Sequence, residues 1–312
     1  MDRRYSPFIF QAQNGSGPPP IQATRHALSS YGWSLRPKQW TKNLLVFAAL
    51  LFSFGQLDVR NLLVTLAGFL LFCFISGRVY ILNDYIDREA DRVHPVKRLR
   101  PIASGRLNPK TALSFGGFLL VLSLGLAYLL QPLFSLLLLL FFVINVSYSL
   151  RLKHIVIIDI MAIASGFVLR ALGGGLIIGV TFTPGFCSVR LLLSLFLAIG
   201  KRRNELSPLR NDKGTHRKVL EKYSIPLLDH LNAIVTTATI ICYSLFTFTS
   251  GRTINLMWTI PFVIYGVFRY LYLIHMENKG GAPDRVLLED KPIRTTVILY
   301  VVSVIVILAC FE

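Results

Sequence analysis

Apolar runs recur along almost the whole chain, separated by short clusters of charge. A bilayer is crossed by roughly 17 to 25 apolar residues in helical form. Windows that approach or meet this length fall near residues 44–58, 62–82, 111–130, 133–150, 156–179, 188–203, 226–248, 254–275 and 294–311, the first and sixth being the weakest. The pattern predicts an all-α polytopic membrane protein of about nine transmembrane helices. Residues 1–35 read differently. Gly15, Ser16, Gly17, Pro18, Pro19 and Pro20 favour a solvated, flexible N-terminal segment over a packed one. No cleavable signal pattern is apparent, and residues 36–312 are expected to form a single membrane domain.

Composition supports the same class. Of 312 residues, 53% are hydrophobic and 16% charged, and the mean hydropathy is +0.56, too apolar for an ordinary soluble domain. The net charge of +17 would suit nucleic-acid binding only if the basic residues shared a water-facing surface. Instead they collect in alternate connections: Arg25, Arg36, Lys38 and Lys42; Arg88 through Lys110; Arg151 and Lys153; Lys201 through Lys222; Lys279, Arg285 and Lys291. The intervening connections hold Arg60, Arg190 and Arg252. Cytoplasmic loops are the ones enriched in Lys and Arg, so the N-terminus and these basic loops are expected in the cytoplasm, with no nucleic-acid role. Cys73, Cys187, Cys242 and Cys310 lack the spacing of a structural metal site, and the scattered histidines do not suggest one either.

The second apolar run ends in Asn83, Asp84, Asp87 and Asp91. On a continuing helix these side chains share one face. Carboxylates so placed repel one another, and a cation would relieve that repulsion beside a low-dielectric membrane. Magnesium fits, because it takes carboxylate and phosphate oxygens together while keeping water ligands. The competing account is a solvated helix end whose acids pair with Arg88, Arg92 or the nearby basic loop.

Basic and aromatic groups accompany the acids. Lys97, Arg98 and Arg100 lie where Pro95, Pro101 and Gly105 interrupt helix; they suit phosphate or simple interfacial anchoring. Tyr148, Lys153 and Asp159 cluster around the fourth-to-fifth connection, and Lys153 and Asp159 are also candidate partners of each other. Arg170 stands deep in an apolar run, where an arginine is costly and should face a polar cavity. Lys201 and Arg202 close the sixth run, and Tyr223 follows a basic loop. Lys38, Gln39, Lys42 and Asn43 lead into the first. Gly173, Gly174 and Gly175 permit close packing within a chain or between copies in a homo-oligomer.

Together these stretches resemble the UbiA superfamily of intramembrane prenyltransferases. Asn83-Asp84-x-x-Asp87-x-x-x-Asp91 is similar to its first acidic motif, and Arg100-Pro101-Ile102-Ala103-Ser104-Gly105 to the loop that follows. Within the superfamily the chain looks most like the decaprenyl-phosphate phosphoribosyltransferase branch, through Arg36-Pro37-Lys38-Gln39-Trp40-Thr41-Lys42-Asn43, His94-Pro95-Val96-Lys97, Tyr148 to Lys153, and Lys201-Arg202-Arg203-Asn204-Glu205-Leu206. Where classical members carry a second Asp-rich motif, this chain has three basic residues with Glu205 the one acid among them.

The resemblance implies helices around a central cavity open to the cytoplasmic face, in a prokaryotic plasma membrane. It also implies magnesium-dependent transfer of 5-phosphoribosyl from 5-phosphoribosyl 1-diphosphate to a polyprenyl phosphate, a step toward an arabinose donor for the cell envelope. Asn83, Asp84, Asp87 and Asp91 would hold the metal. Asp84, Asp87, Asp91, Lys97 and Lys153 would act on the reacting groups. Lys38, Gln39, Lys42, Asn43, Asn83, Tyr148, Asp159, Arg170 and Tyr223 would bind substrate, with Arg98, Arg100, Lys201 and Arg202 serving either phosphate. Two rival readings are a prenyltransferase using a prenyl diphosphate and an aromatic or other acceptor, and a membrane transporter. A transporter would show the internal repeats and paired broken helices of that class, which are not evident.

Overall fold

The computed structural model describes residues 31–51, 58–180, 184–206, 219–249, 253–277, 279 and 283–311. A leading segment, Pro37–Phe47, is wound as a 3-10 helix and runs into the α-turn Ala48–Leu51. Eight long helices follow: α1 Val59–Ile86, α2 Pro109–Leu130, α3 Pro132–Leu150, α4 Ile158–Ile177, α5 Pro184–Leu206, α6 Ile225–Thr249, α7 Ile260–Met276 and α8 Lys291–Phe311. No strand occurs among the described residues.

Local sequence sets several of these ends. Asp58 caps α1 by accepting from the Asn61 N–H, and Asn108 caps α2 by accepting from Lys110. Pro109 and Pro132 occupy first-turn positions, where the missing N–H costs nothing. Seven described segments are long and apolar enough to cross a membrane: α1, α2, α3, α4, α6, α8, and α7 together with the 3-10 turn that precedes it. The chain is an integral membrane protein. The expected count of nine is not reached among the described residues. α5 carries Arg190, Lys201, Arg202, Arg203 and Glu205 along its length, and the first apolar window continues into residues 52–57, outside those described.

Side-chain contacts give the helix directions. Ile81 of α1 packs with Ala112 of α2, Phe134 of α3 lies on Gly173 of α4, and Phe141 on Gly166. Asp159 of α4 meets Arg202 of α5, and Arg203 of α5 meets Asp229 of α6. Each pair is antiparallel, so the C-terminal ends of α1, α3 and α5 gather with the N-terminal ends of α2, α4 and α6. The most polar groups of the chain stand at this end.

The core between α1, α3 and α4 is aromatic. Phe72 meets Phe134 and Phe141 edge-on, with ring centroids 5.8 and 5.3 Å apart, inside a cluster with Leu71, Ile75, Leu138 and Leu169. Glycine makes room for it. A Cβ on Gly173 would come within 2.7 Å of Phe72, and one on Gly174 would overlap the Val46 carbonyl of the leading segment. These two glycines therefore serve packing within the chain.

One sequence expectation changes. Asn83, Asp84, Asp87 and Asp91 do not continue along a single helical face, because α1 stops at Ile86 and Asp87 turns at φ −87° and ψ 4° before the short helix Arg88–Val93. On an unbroken helix Asp84 and Asp91 would lie about 10 Å apart along the axis. The turn comes where the apolar run ends, and it lets both carboxylates reach one arginine.

Candidate functional site

That arginine is Arg100. Its Nη1 donates to Asp91 Oδ2 at 2.6 Å and lies 3.2 Å from Asp84 Oδ1. Arg36 donates to the same Asp84 oxygen and stacks over the Tyr80 ring, 4.9 Å from its centroid. Asp84 and Asp91 are both buried, at 2% and 3% exposure. Two buried carboxylates facing two guanidinium groups form a neutral quartet, the arrangement that makes buried charge tolerable. Arg88 and Arg92 pair with Glu89 instead; of the partners the competing account offers, it is the basic loop, through Arg100, that holds Asp84 and Asp91, and both acids are buried rather than solvated. Asp87 and Asn83 are half-buried beside the quartet in sequence. Among the described residues no three His, Cys, Asp or Glu side chains converge in metal-ligand geometry.

A second polar cluster joins α3, α4, α5 and the segment before α6. The sequence places Asp159, Arg202, Tyr148 and Tyr223 among substrate contacts; the structure closes them on one another. Arg202 donates from Nε to Asp159 Oδ2 at 2.5 Å, from Nη2 to Tyr148 Oη at 2.7 Å, and from Nη1 to Glu205. Arg202 and Asp159 have no exposed surface. Tyr223 Oη donates to Asp159 Oδ1 at 2.6 Å and accepts from the Ile157 N–H at 2.6 Å. Burial, and then its bond to Asp159, push the Tyr223 phenol above its usual value. The bond also holds Ile157 at φ 68°, a region that a β-branched residue rarely enters. The candidate Lys153–Asp159 pair is not formed, because Arg202 and Tyr223 take both carboxylate oxygens.

Arg170 lies deeper. Its Nε donates to Asn43 Oδ1 at 2.6 Å, its Nη1 to the Gly166 carbonyl at 2.7 Å, and its guanidinium sits 4.6 Å from the Phe141 centroid. Asn43 also donates to Cys73 Sγ at 3.2 Å. The leading segment thus supplies the amide that satisfies an intramembrane charge. Asp159 and Arg170 share α4 but belong to different clusters.

The remaining candidates are more open. Lys97 and Arg98 are exposed on the loop between α1 and α2, while Gln39, Lys42, Lys153 and Lys201 are half-buried. Lys201 Nζ lies 4.0 Å from Glu205 Oε1. The Lys38 side chain is outside the described residues. Sequence reasoning gave no site role to Arg36 or Glu205. The signal for Arg36 was its place beside Pro37 at the head of a motif-bearing stretch, and for Glu205 its i+3 spacing from Arg202.

Comparison with known proteins agrees with this fold. The UbiA prenyltransferase family profile matches residues 44–288. The decaprenyl-phosphate phosphoribosyltransferase of Mycolicibacterium smegmatis is 33% identical over 90% of this chain and 91% of its own length. The enzyme of the same name from Corynebacterium glutamicum is 34% identical over 87% of this chain and 84% of its own. A UbiA homolog from Archaeoglobus fulgidus bound to GPP and Mg2+ superposes with a TM-score of 0.69 at 21% identity, covering 90% of this chain and 99% of that one. On this evidence the chain, a membrane-embedded transferase, belongs to the UbiA prenyltransferase family.

Proposed function

We propose that the protein transfers 5-phosphoribosyl from 5-phosphoribosyl 1-diphosphate to a polyprenyl phosphate, releasing diphosphate and forming polyprenylphosphoryl-5-phosphoribose. The observation that carries this reading is similarity to two enzymes named for phosphoribosyl transfer, along 90% and 87% of the chain. The basic end of α5 supports it. There Arg202 holds Asp159 and Glu205 in a saturated cluster, where a classical prenyltransferase would be expected to present a second acidic, metal-binding motif.

Magnesium fits the quartet, since Asp84 and Asp91 already converge on one cationic nitrogen and magnesium commonly uses one or two carboxylates plus substrate phosphates. Asp84 and Asp91, with Asp87 and Asn83 alongside, would hold it. When bound, the metal would neutralise charge on the departing diphosphate. Arg36 and Arg100 are then free to exchange carboxylate oxygens for phosphate oxygens, and Lys97 and Arg98 add positive charge from the loop. The acceptor phosphate oxygen attacks C1 of the ribose as the bond from C1 to the diphosphate breaks. A phosphate anion is already nucleophilic, so positioning and charge stabilisation serve in place of a Ser/His/Asp triad. Lys42, Gln39 and Lys153 are assigned to the donor's sugar phosphate, and Lys201 to either phosphate. The reaction is placed at the cytoplasmic face of a prokaryotic plasma membrane.

The test is incorporation of radiolabelled phosphoribosyl diphosphate into lipid by the purified protein with polyprenyl phosphate and magnesium. Absence of labelled lipid, with prenyl transfer from a prenyl diphosphate to an aromatic acceptor instead, would refute the proposal.

A further inference from the structure

Arg78 lies in α1 six residues before Asp84, which sets it about 9 Å deeper along the axis and about 120° around it. It therefore looks toward α2 rather than the quartet. Its side chain crosses Gly116, where a Cβ would come within 2.6 Å of Arg78 Cδ and 3.3 Å of Nε. Gly116 is the notch that houses it. Arg78 Nε and Nη1 are sealed there, with no hydrogen-bond partner among the described residues. Nη2 is not among the sealed atoms and the residue is half-buried, so the guanidinium keeps an accessible nitrogen at the seam between α1 and α2.

An arginine at this depth requires a counter-charge, and none of the acids near it in sequence pairs with it: Asp87 makes no ion pair among the described residues, and the others are engaged elsewhere. Asp84 and Asp91 are held by Arg36 and Arg100, and Glu89 by Arg88 and Arg92. Toward the polar end of the bundle the seam is closed by Ile81, Ile102, Leu107 and Ala112, with Tyr31 packed on Phe115 at 4.8 Å between ring centroids. Beyond that apolar roof stand exposed Arg106 and Lys110. Closed toward that end and without an acid of its own among the described residues, the guanidinium suits the phosphate of an anionic lipid, which a long basic side chain can extend to meet.

We propose that Arg78 binds the phosphate of an anionic membrane glycerolipid in the groove between α1 and α2, at a site separate from the Asp84 quartet. The phosphate accepts from Nη2 and, once the guanidinium turns out of the notch, from Nη1 as well, the forked geometry arginine offers phosphate. A lipid held there secures the two helices that flank the loop carrying Asp91 and Arg100.

The experiment reconstitutes the full chain in nanodiscs of phosphatidylcholine with and without phosphatidylglycerol and measures retained lipid by native mass spectrometry. The wild type should prefer phosphatidylglycerol, and Arg78→Gln should reduce that preference roughly tenfold, about what one charge-assisted hydrogen bond supplies. Arg78→Lys should keep part of it. Gly116→Ala, which keeps the charge but fills the notch, should lose part. Wild-type preference in both Arg78→Gln and Gly116→Ala would overturn the proposal. So would displacement of phosphatidylglycerol by equimolar inorganic phosphate or polyprenyl phosphate, which would make the site one for free anion or acceptor. Should Arg78→Gln not fold, the Lys and Ala variants carry the same decision.

Discussion

Replacing Arg202 with Met should destabilise the protein strongly, and replacing Arg202 and Asp159 together should cost much less than the sum of the two separate replacements. Arg202 is fully enclosed and gives its donors to Asp159, Glu205 and Tyr148. Without it Asp159, also fully enclosed, keeps Tyr223 as its remaining partner. Glu205 is 28% exposed on its side chain and can turn to water, so the penalty centres on Asp159. Stranding one member of a buried ion pair costs about 3–5 kcal/mol, a factor of roughly 10² to 10⁴ in the folded-to-unfolded ratio. Arg202→Met with Asp159→Asn removes both charges and leaves an amide that still accepts from Tyr223. The double variant should therefore cost about 2–3 kcal/mol less than the sum of the singles. The assay is reversible unfolding in mixed micelles, followed by circular dichroism across a denaturing-detergent titration. Costs that add to within about 0.5 kcal/mol would show the two residues to be independent and refute the reasoning.

Three further outcomes follow from the same geometry. Asp87 is half-buried and makes no ion pair among the described residues, so Asp87→Asn should keep the fold while lowering turnover and raising the magnesium concentration required. Full activity at unchanged magnesium would remove Asp87 from the site. Gly174→Ala should push the Val46 carbonyl away and open the contact between Asn43 and Arg170. The Cys73 thiol, which is fully buried, should then label faster with a membrane-permeant maleimide, and an unchanged rate counts against the packing described. Tyr223 holds its proton more tightly folded than unfolded. Its contribution is complete below about pH 10, the ordinary phenol value, and is lost as pH rises toward the raised folded value. An alkaline unfolding series should show the wild type losing stability faster than Tyr223→Phe above that pH; parallel losses would exclude the coupling.

The fold was largely legible because bilayer crossing imposes a length and a composition that single windows reveal. α1 through α4 and α6 through α8 satisfy both. α5 is harder to read, since its charges form pairs whose partners lie 26 and 43 residues away in sequence. The acidic run pointed to Asp84 and Asp91, which the structure brings together on Arg100, but its one-face geometry depended on a helix that breaks at Asp87. Local periodicity carries no sign of such a break when the pull comes from Arg100. The pairing of Asp159 with Arg202 was unreadable for the same reason. Each residue suits phosphate or an opposite charge equally well, and only the antiparallel approach of α4 and α5 decides between them.

The bond between Arg170 and Asn43 spans 127 residues of sequence, and this separation bears on how the protein is made. Synthesis at 5–20 residues per second puts roughly 6–25 s between the emergence of the two side chains. Throughout that interval the leading segment must stay beside the growing bundle without its guanidinium partner. When α4 arrives, its arginine can shed water only against an amide already waiting at the right depth. Biogenesis therefore closes the leading segment onto α4 late, and a segment that drifted away in the bilayer would leave Arg170 stranded at the insertion machinery.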